Sequence, residues 1–459
     1  MRSNIDQQDY EVHKGASWPS WENFLAGEVT GNVSVDEEIE EFIKRFATQG
    51  KYFPIHTETA CQSKWTWNTL WLNEARDSSC HRAGWDDITV DNFNLHNGPN
   101  KLEARKKMLE GKWPGGGCEY CRDIELAGGH SDRQHNNLIP GLYPEELDND
   151  INSIIVTQRI QEIFADNTCN LSCLYCKGDL SSQIERENNL HGEFKQKGVW
   201  LPDTLSTKKD NKELYAKFLE WLKENIHKLR RLHLLGGETF IQHKLMEDIL
   251  SLLAEYPNPE LRLSVFSNMN APEKYWNSYI NRIKELPING FDLTVSVDCW
   301  GPQASYVRYG LDLDLLEKRL AWASEQGDWL ALNINQTITN MTIKTMPELL
   351  NIINKYNKNK HIGHYFEFVI GPEKYFQHPE IFSYSIWEQD FDRIFSVMPS
   401  LTVEHKEATL RMQSLQKQLK TVTSNNYEQI ENLQIYLDEM DRRRGTNWRE
   451  LFPYLDIHE

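Results

Sequence analysis

Several features are missing from this chain of 459 residues. No apolar run approaches the roughly 20 residues that a membrane-spanning helix needs. The opening stretch M-R-S-N-I-D-Q-Q-D-Y lacks the apolar core of a secretory signal, so the cytoplasm is the expected compartment. There is no internal repeat and no low-complexity tract, which argues against a solenoid or a linker-like chain. Excess basic charge is also absent. The formal net charge is -18, which disfavours a nucleic-acid partner, because phosphate contacts require a basic footprint. Cysteine is sparse, at eight residues. Seven of these fall into ligand-like groups, and in a cytoplasmic protein such groups read as reduced or metal-bound thiols and not as a disulfide framework.

What is present suits an ordinary enzyme. With 39% apolar and 11% aromatic residues, the chain can bury a full core and has room for one large domain and a smaller one. The most informative stretch is F-A-D-N-T-C-N-L-S-C-L-Y-C-K, where Cys169, Cys173 and Cys176 form a C-x3-C-x2-C triplet. A structural zinc closes its tetrahedron with a fourth protein ligand, whereas three thiolates suit a four-iron cluster with one iron left open. An open iron is what is needed to hold the amino and carboxylate groups of S-adenosylmethionine and pass an electron into its sulfonium.

From about residue 160 the pattern alternates strand-like apolar runs with amphipathic helices. The candidate strands are Gln161 to Asp166, Arg231 to Leu235, Leu261 to Ser267, Phe291 to Val297, Leu330 to Thr337 and Tyr365 to Ile370. Six strands separated by helices predict a parallel α/β sheet. Leu214, Phe218, Leu222 and Ile226 mark one helix behind a capping box at Asp210 and Glu213, and Leu245, Ile249 and Leu252 mark the next. Residues 181–210 form a long polar insertion, read either as a lid or as a solvated excursion. Ile39, Phe42, Ile43 and Phe46 predict a helix near the start, and residues 404–444 predict two helices separated near Ser424. Trp65 and Trp67 alternate like one face of a strand, and Trp71 follows them in a local aromatic group. Arg442, Arg443 and Arg444 read as a solvated helix end.

In a parallel barrel, ligands gather at the C-terminal ends of the strands. The triplet follows the first strand directly, and L-L-G-G-E-T-F places Gly236, Gly237 and Glu238 at the exit of the second. Paired glycines let a backbone come close to a ligand, and the carboxylate can accept hydrogen bonds from an ammonium. These residues resemble the radical S-adenosylmethionine enzymes. The resemblance implies that Gly236, Gly237 and Glu238 bind the methionine amino group and that Tyr175 packs near the adenine. It implies cofactor contacts from Ser267 and Asn268 in F-S-N-M-N, from Ser296 and Asp298 in S-V-D-C-W, and from Arg308 in S-Y-V-R-Y. Family members commonly have proline after G-G-E and glycine after S-x-D, where this chain has Thr239 and Cys299. Cys299 is read either as a catalytic hydrogen-atom donor or cluster ligand, or as a small buried residue.

Upstream, Cys61, Cys80 and the C-x2-C pair Cys118 and Cys121 supply four more thiolates. Four-thiolate sets serve both iron-sulfur clusters and zinc. The stretch from Leu102 to Cys121 resembles a twitch or SPASM-like auxiliary domain, which implies a second four-iron cluster. His233 in the second strand reads as structural, and Glu367 in the sixth must find a partner if it faces an interior.

The expected architecture is α/β: a partial (β/α)6 TIM-like barrel at 151–372. A small cysteine-rich auxiliary domain at 61–150 precedes it, an accessory segment covers 1–60, and a C-terminal helical region covers 373–459. The resemblance implies an enzyme that cleaves S-adenosylmethionine reductively and abstracts a substrate hydrogen. Its leading substrate is a ribosomally made peptide that is crosslinked or otherwise oxidised, and flavodoxin or ferredoxin is the reductant. A small-molecule or cofactor-biosynthesis enzyme and a non-enzymatic zinc protein are the alternatives.

Overall fold

The computed structural model describes residues 53–458, apart from 82, 127–130, 138, 140, 204–210, 370–371 and 399–402. The helix expected around Ile39 to Phe46 lies outside the described residues, as does Asp210 of the capping box.

Thirteen strands occur among the described residues. In chain order they are β1 (Trp67–Trp71), β2 (Arg76–Ser78), β3 (Trp85–Asp87), β4 (Ile160–Phe164), β5 (Ser172–Cys173), β6 (Phe194–Gln196), β7 (Val199–Leu201), β8 (Arg231–Leu235), β9 (Asn258–Ser267), β10 (Ile288–Ser296), β11 (Arg308–Tyr309), β12 (Leu330–Ile338) and β13 (Ile362–Phe368). Nine of them form one sheet in the order β13-β12-β10-β9-β8-β4-β1-β2-β3. All six expected strands are present, as β4, β8, β9, β10, β12 and β13, and each pairs with its neighbours in parallel. The sheet does not stop there. β1 pairs with β4 in parallel, and β2 and β3 extend the sheet antiparallel. A strand from the cysteine-rich segment is therefore hydrogen-bonded to the strand that leads into the triplet.

Register sorts the two faces of this sheet, since alternate side chains point to opposite sides. Leu70, Ile163, Leu234 and Val265 form one paired row and Leu293 continues it, all essentially free of solvent. The next row, on the opposite face, reads Thr69, Glu162, His233, Ser264 and Asp292. The first row belongs to the main apolar core, to which the Lys212–Asn225 helix contributes Leu214, Phe218 and Leu222. Along β12 burial alternates at every residue, with Asn333, Asn335 and Thr337 half-buried on the polar side.

Trp65 is not in a strand. It lies in the helix Gln62–Thr66, and β1 begins two residues later, at Trp67. The 181–210 insertion contains the helix Ser182–His191 and the hairpin β6-β7. It packs against the C-terminal helix Tyr427–Arg444, where Gly198 donates its N–H to Asn432 Oδ1 at 3.0 Å. The first tail helix, Val403–Leu419, also falls where the sequence placed it. Among the described residues no helix is long and apolar enough to cross a membrane.

Candidate functional site

The loop after β4 is fixed at several points before it reaches its cysteines. Ser182 donates its N–H to Asn167 O and accepts Cys169 N–H on its hydroxyl, at 2.7 and 3.0 Å. Ser181 caps the following helix by accepting Ile184 N–H and donates its hydroxyl to Leu171 O at 2.8 Å. Cys169 and Cys173 are buried and Cys176 is half-buried. Burial pushes the Cys169 and Cys176 thiols up to about 12, and repulsion from Cys173 adds to this. Burial also raises Cys173, opposed by the Arg308 guanidinium. Leu171 N–H points at Cys169 Sγ at 3.5 Å. Such a donor suits a thiolate or a cluster sulfur.

The G-G-E segment closes onto this loop from β8. Gly236 and Gly237 have φ of +91 and +49, in the left-handed region that glycine tolerates best. A Cβ at Gly236 would lie 2.7 Å from Asp166 O, and one at Gly237 would lie 2.1 Å from Thr168 O. Glu238 N–H then donates to Thr168 O at 2.8 Å. What comes close to these glycines is the backbone of the triplet loop itself.

Glu238 is fully buried. Its Oε1 accepts Ser267 Oγ–H at 2.8 Å and Phe240 N–H at 3.2 Å, and its Oε2 accepts Asn268 N–H at 2.6 Å. Burial outweighs these three donors and raises its pKa to about 7. The carboxylate thus ties the ends of β8 and β9 together. Asn268 continues the link by donating Nδ2 to Asn170 Oδ1, inside the triplet, at 2.9 Å.

The end of β10 is organised around Asp298. Its Oδ2 accepts Tyr175 O–H and Arg308 Nε–H, both at 2.8 Å, and its Oδ1 accepts Arg308 Nη2–H at 2.8 Å and Thr337 N–H at 2.9 Å. Arg308 in turn places Nη1 3.9 Å from Cys173 Sγ. β11 pairs antiparallel with β5, which sets Arg308 opposite Cys173. Asp298, Arg308, Tyr175 and the triplet are therefore one connected unit. Ser296 lies half-buried at the end of β10. Cys299 is wholly buried in the core, and burial pushes its thiol up to about 12.

Of the upstream cysteines, Cys61 and Cys118 both pack against a second apolar cluster that includes Phe53, Trp65 and Met108. Cys61 and Cys121 are raised to about 12 and about 11, first by burial. Cys61 is further raised by Cys80 and Cys118, and Cys121 by Cys80. Lys64 is buried beside them; burial opposes its charge, and Cys118, Cys80 and Cys61 outweigh burial and raise its pKa. Gly115, Gly116 and Gly117 all have positive φ, which turns the chain just before Cys118. Among the described residues no group of three or more His, Cys, Asp or Glu side chains is arranged to hold a metal ion.

One cluster showed in the sequence only through His233. Glu162 is buried at the middle of β4. It accepts from Thr69 Oγ1 at 2.7 Å and contacts His81 Nε2 at 2.7 Å and His233 Nδ1 at 3.0 Å. Burial opposes its charge, but the two imidazoles outweigh burial and hold the carboxyl far below the usual range. His81 also meets Trp71 and Phe164 edge-on, with ring centroids 5.9 and 5.5 Å away. The His81 side chain is half-exposed, directly after Cys80 and beside the last residue of β4. Glu367 finds its expected partner in Arg411, at 2.8 Å.

The chain matches no known protein-family model and no curated protein. Its resemblances are to solved structures. Streptococcus suis SuiB bound to S-adenosylmethionine aligns over 69% of this chain and 67% of its own, at 14% identity and a TM-score of 0.37. SuiB bound to precursor peptide SuiA aligns over 69% and 76%, at 14% identity and a TM-score of 0.32. TYW1 with a lysine-pyruvate adduct aligns over 53% and 73%, at 14% identity and a TM-score of 0.30.

Proposed function

We propose that this chain is a radical S-adenosylmethionine enzyme whose catalytic cluster is held by Cys169, Cys173 and Cys176. The observation that carries the proposal is the seating of the triplet. It lies on the loop leaving β4, clamped by Gly236 and Gly237 on one side and by the Asp298-Arg308-Tyr175 unit on the other. In its chemistry the donor set fits a four-iron cluster, with three cysteine sulfurs on one loop and polar N–H groups already pointing at two of them. When loaded, such a cluster would supply the electron for reductive cleavage of S-adenosylmethionine.

The chain's own residues orient and shield that chemistry. Glu238, Ser267 and Asn268 lock two strand ends beneath the cysteine loop. Asp298 holds Arg308 and Tyr175 against Cys173. The half-buried polar side chains of β10 and β12, with Ser296, Asn335 and Thr337 among them, offer a hydrogen-bonding surface beside the strand ends.

The second thiol set, Cys61, Cys80, Cys118 and Cys121, is proposed to hold an auxiliary four-iron cluster. The buried Lys64 ammonium supports this, because a buried cation is costly unless paired, and Cys118, Cys80 and Cys61 beside it would carry negative charge as metal-bound thiolates. A second redox centre supports an oxidative outcome, and the substrate class proposed is a ribosomally made peptide that becomes crosslinked. Flavodoxin or ferredoxin is the proposed electron donor.

Reconstitution with iron and sulfide without oxygen tests the assignment. The expected result is a brown protein with two four-iron clusters, of which Cys173→Ala loses one and Cys118→Ala the other. A colourless protein that takes up zinc alone overturns it. The peptide substrate is tested by binding of a peptide encoded beside the gene, and it is abandoned if none binds.

A further inference from the structure

Arg442, Arg443 and Arg444 read from sequence as a solvated helix end, and the structure contradicts this for two of them. The Arg443 side chain is fully buried on Glu439, and the Arg444 side chain is only 3% exposed. Arg444 reaches Glu187 of the insertion helix with Nε and Nη2, at 3.1 and 3.3 Å. Its guanidinium lies over the Tyr309 ring, 5.0 Å from the centroid, and Tyr309 O–H donates to Arg444 O at 3.3 Å. Tyr309 pairs with Ser172 while Arg308 pairs with Cys173. The last residue of the C-terminal helix is thus placed against the same two-residue ladder that carries Cys173. Its Nη1 is buried with no hydrogen-bond partner. A guanidinium nitrogen in that state is costly unless a negative group stands nearby. The same helix also braces the loop through Tyr436, which donates to Leu174 O, between Cys173 and Tyr175.

We propose that Arg308 and Arg444 are positioning residues that set the reduction potential of the triplet's cluster, and that the C-terminal helix supplies half of that charge. The inference rests on the radical reading above. Cluster potentials follow net charge and hydrogen bonds to the sulfurs, and cations held on the ladder that carries Cys173, Arg308 at its sulfur and Arg444 over Tyr309, favour the reduced, more negative form. Each cation has its own brake. Asp298 neutralises Arg308 through two hydrogen bonds, and Glu187 neutralises Arg444. Removing a cation and removing its carboxylate must therefore act in opposite directions. A unit charge at the 3.9 Å that separates Arg308 Nη1 from Cys173 Sγ is worth more than a tenfold change in an equilibrium, even at an effective dielectric of about 20.

The test is a redox titration of the reconstituted full chain without oxygen, with dithionite as reductant, read by EPR. The triplet's signal is identified as the one that changes when S-adenosylmethionine is added to a parallel sample. Arg308→Gln and Arg444→Gln are each expected to leave at least tenfold fewer clusters reduced at a fixed potential, a downward shift of about 59 mV for a one-electron couple. Asp298→Asn and Glu187→Gln are expected to shift the midpoint upward. Four unchanged midpoints, or cation and carboxylate variants that shift in the same direction, overturn the proposal, since damage to packing has no reason to change sign. Arg444→Gln and Glu187→Gln keep the test decisive if the Arg308 variant fails to fold. A wild-type triplet that loads no iron overturns the radical reading and this proposal together, whereas normal loading with unmoved potentials overturns this proposal alone.

Discussion

Replacing Gly237 with alanine tests the contact between the G-G-E segment and the triplet loop. Two costs are expected. The first is conformational: at φ +49 an alanine Cβ crowds its own backbone, at about 1 kcal/mol or slightly more. The second is steric. The new methyl would lie 2.1 Å from Thr168 O and 2.9 Å from Asn167 C, both backbone atoms that no rotamer change can move aside. Forcing a methyl into a packed site costs about 1 to 3 kcal/mol, so the sum is about 2 to 4 kcal/mol. Gly445→Ala is the control, because Gly445 also has a left-handed backbone, φ 68 and ψ 34, with nothing within 4 Å of where the methyl would sit. It pays the first cost only. Urea titration of both variants measures the difference, provided the denaturant slope is unchanged. Relief of the overlap must displace residues 167 and 168, next to Cys169, so Gly237→Ala is also expected to load less iron than Gly445→Ala. Equal stability loss in the two variants, with equal iron, would refute the claim that the glycines exist for the close approach of the cysteine loop.

Other predictions concern the buried carboxylates. The folded pKa of Glu162 is depressed, so its stabilising contribution is present above the unfolded value of about 4.3 and lost as pH falls below it. Glu162→Gln should flatten the acid side of the stability profile and cost about 2 kcal/mol at pH 7, the worth of hydrogen bonds to a charged group. Glu238 behaves oppositely. Its folded pKa is raised to about 7, so the folded state holds the extra proton and stability falls as pH rises from about 4.3 to 7. Glu238→Gln should abolish that slope, a difference of about 3 kcal/mol at pH 8, read from urea midpoints across pH. Arg411→Ala, which removes a partly exposed ion pair to Glu367, should cost no more than about 1 kcal/mol by the same assay.

The strands were legible because each is a short apolar run with its period intact, and β4, β8, β9, β10, β12 and β13 all fall within a few residues of their expected bounds. β1 was harder to see. Its middle, Asn68 and Thr69, is polar, and those side chains are satisfied by Gln161 and Glu162, 93 residues away. The same separation hides the Glu162 cluster, whose His81 follows a cysteine with no pattern of its own. Arg444 was misread for a related reason, since Glu187, the partner that lets it be buried, lies 257 residues upstream. Local sequence carried the triplet and the G-G-E segment well. It also suggested that the paired glycines admit a ligand, whereas the neighbour that comes closest is the carbonyl of Thr168.

The central claim is that the triplet supports reductive cleavage of S-adenosylmethionine, and quantifying 5'-deoxyadenosine tests it most directly. The protein is reconstituted without oxygen, reduced with dithionite and given S-adenosylmethionine, beside a Cys173→Ala control. The account predicts 5'-deoxyadenosine from the wild type and none from the control. Equal amounts from both, or none from a wild type whose triplet is loaded with iron and supplied with its peptide, would contradict it.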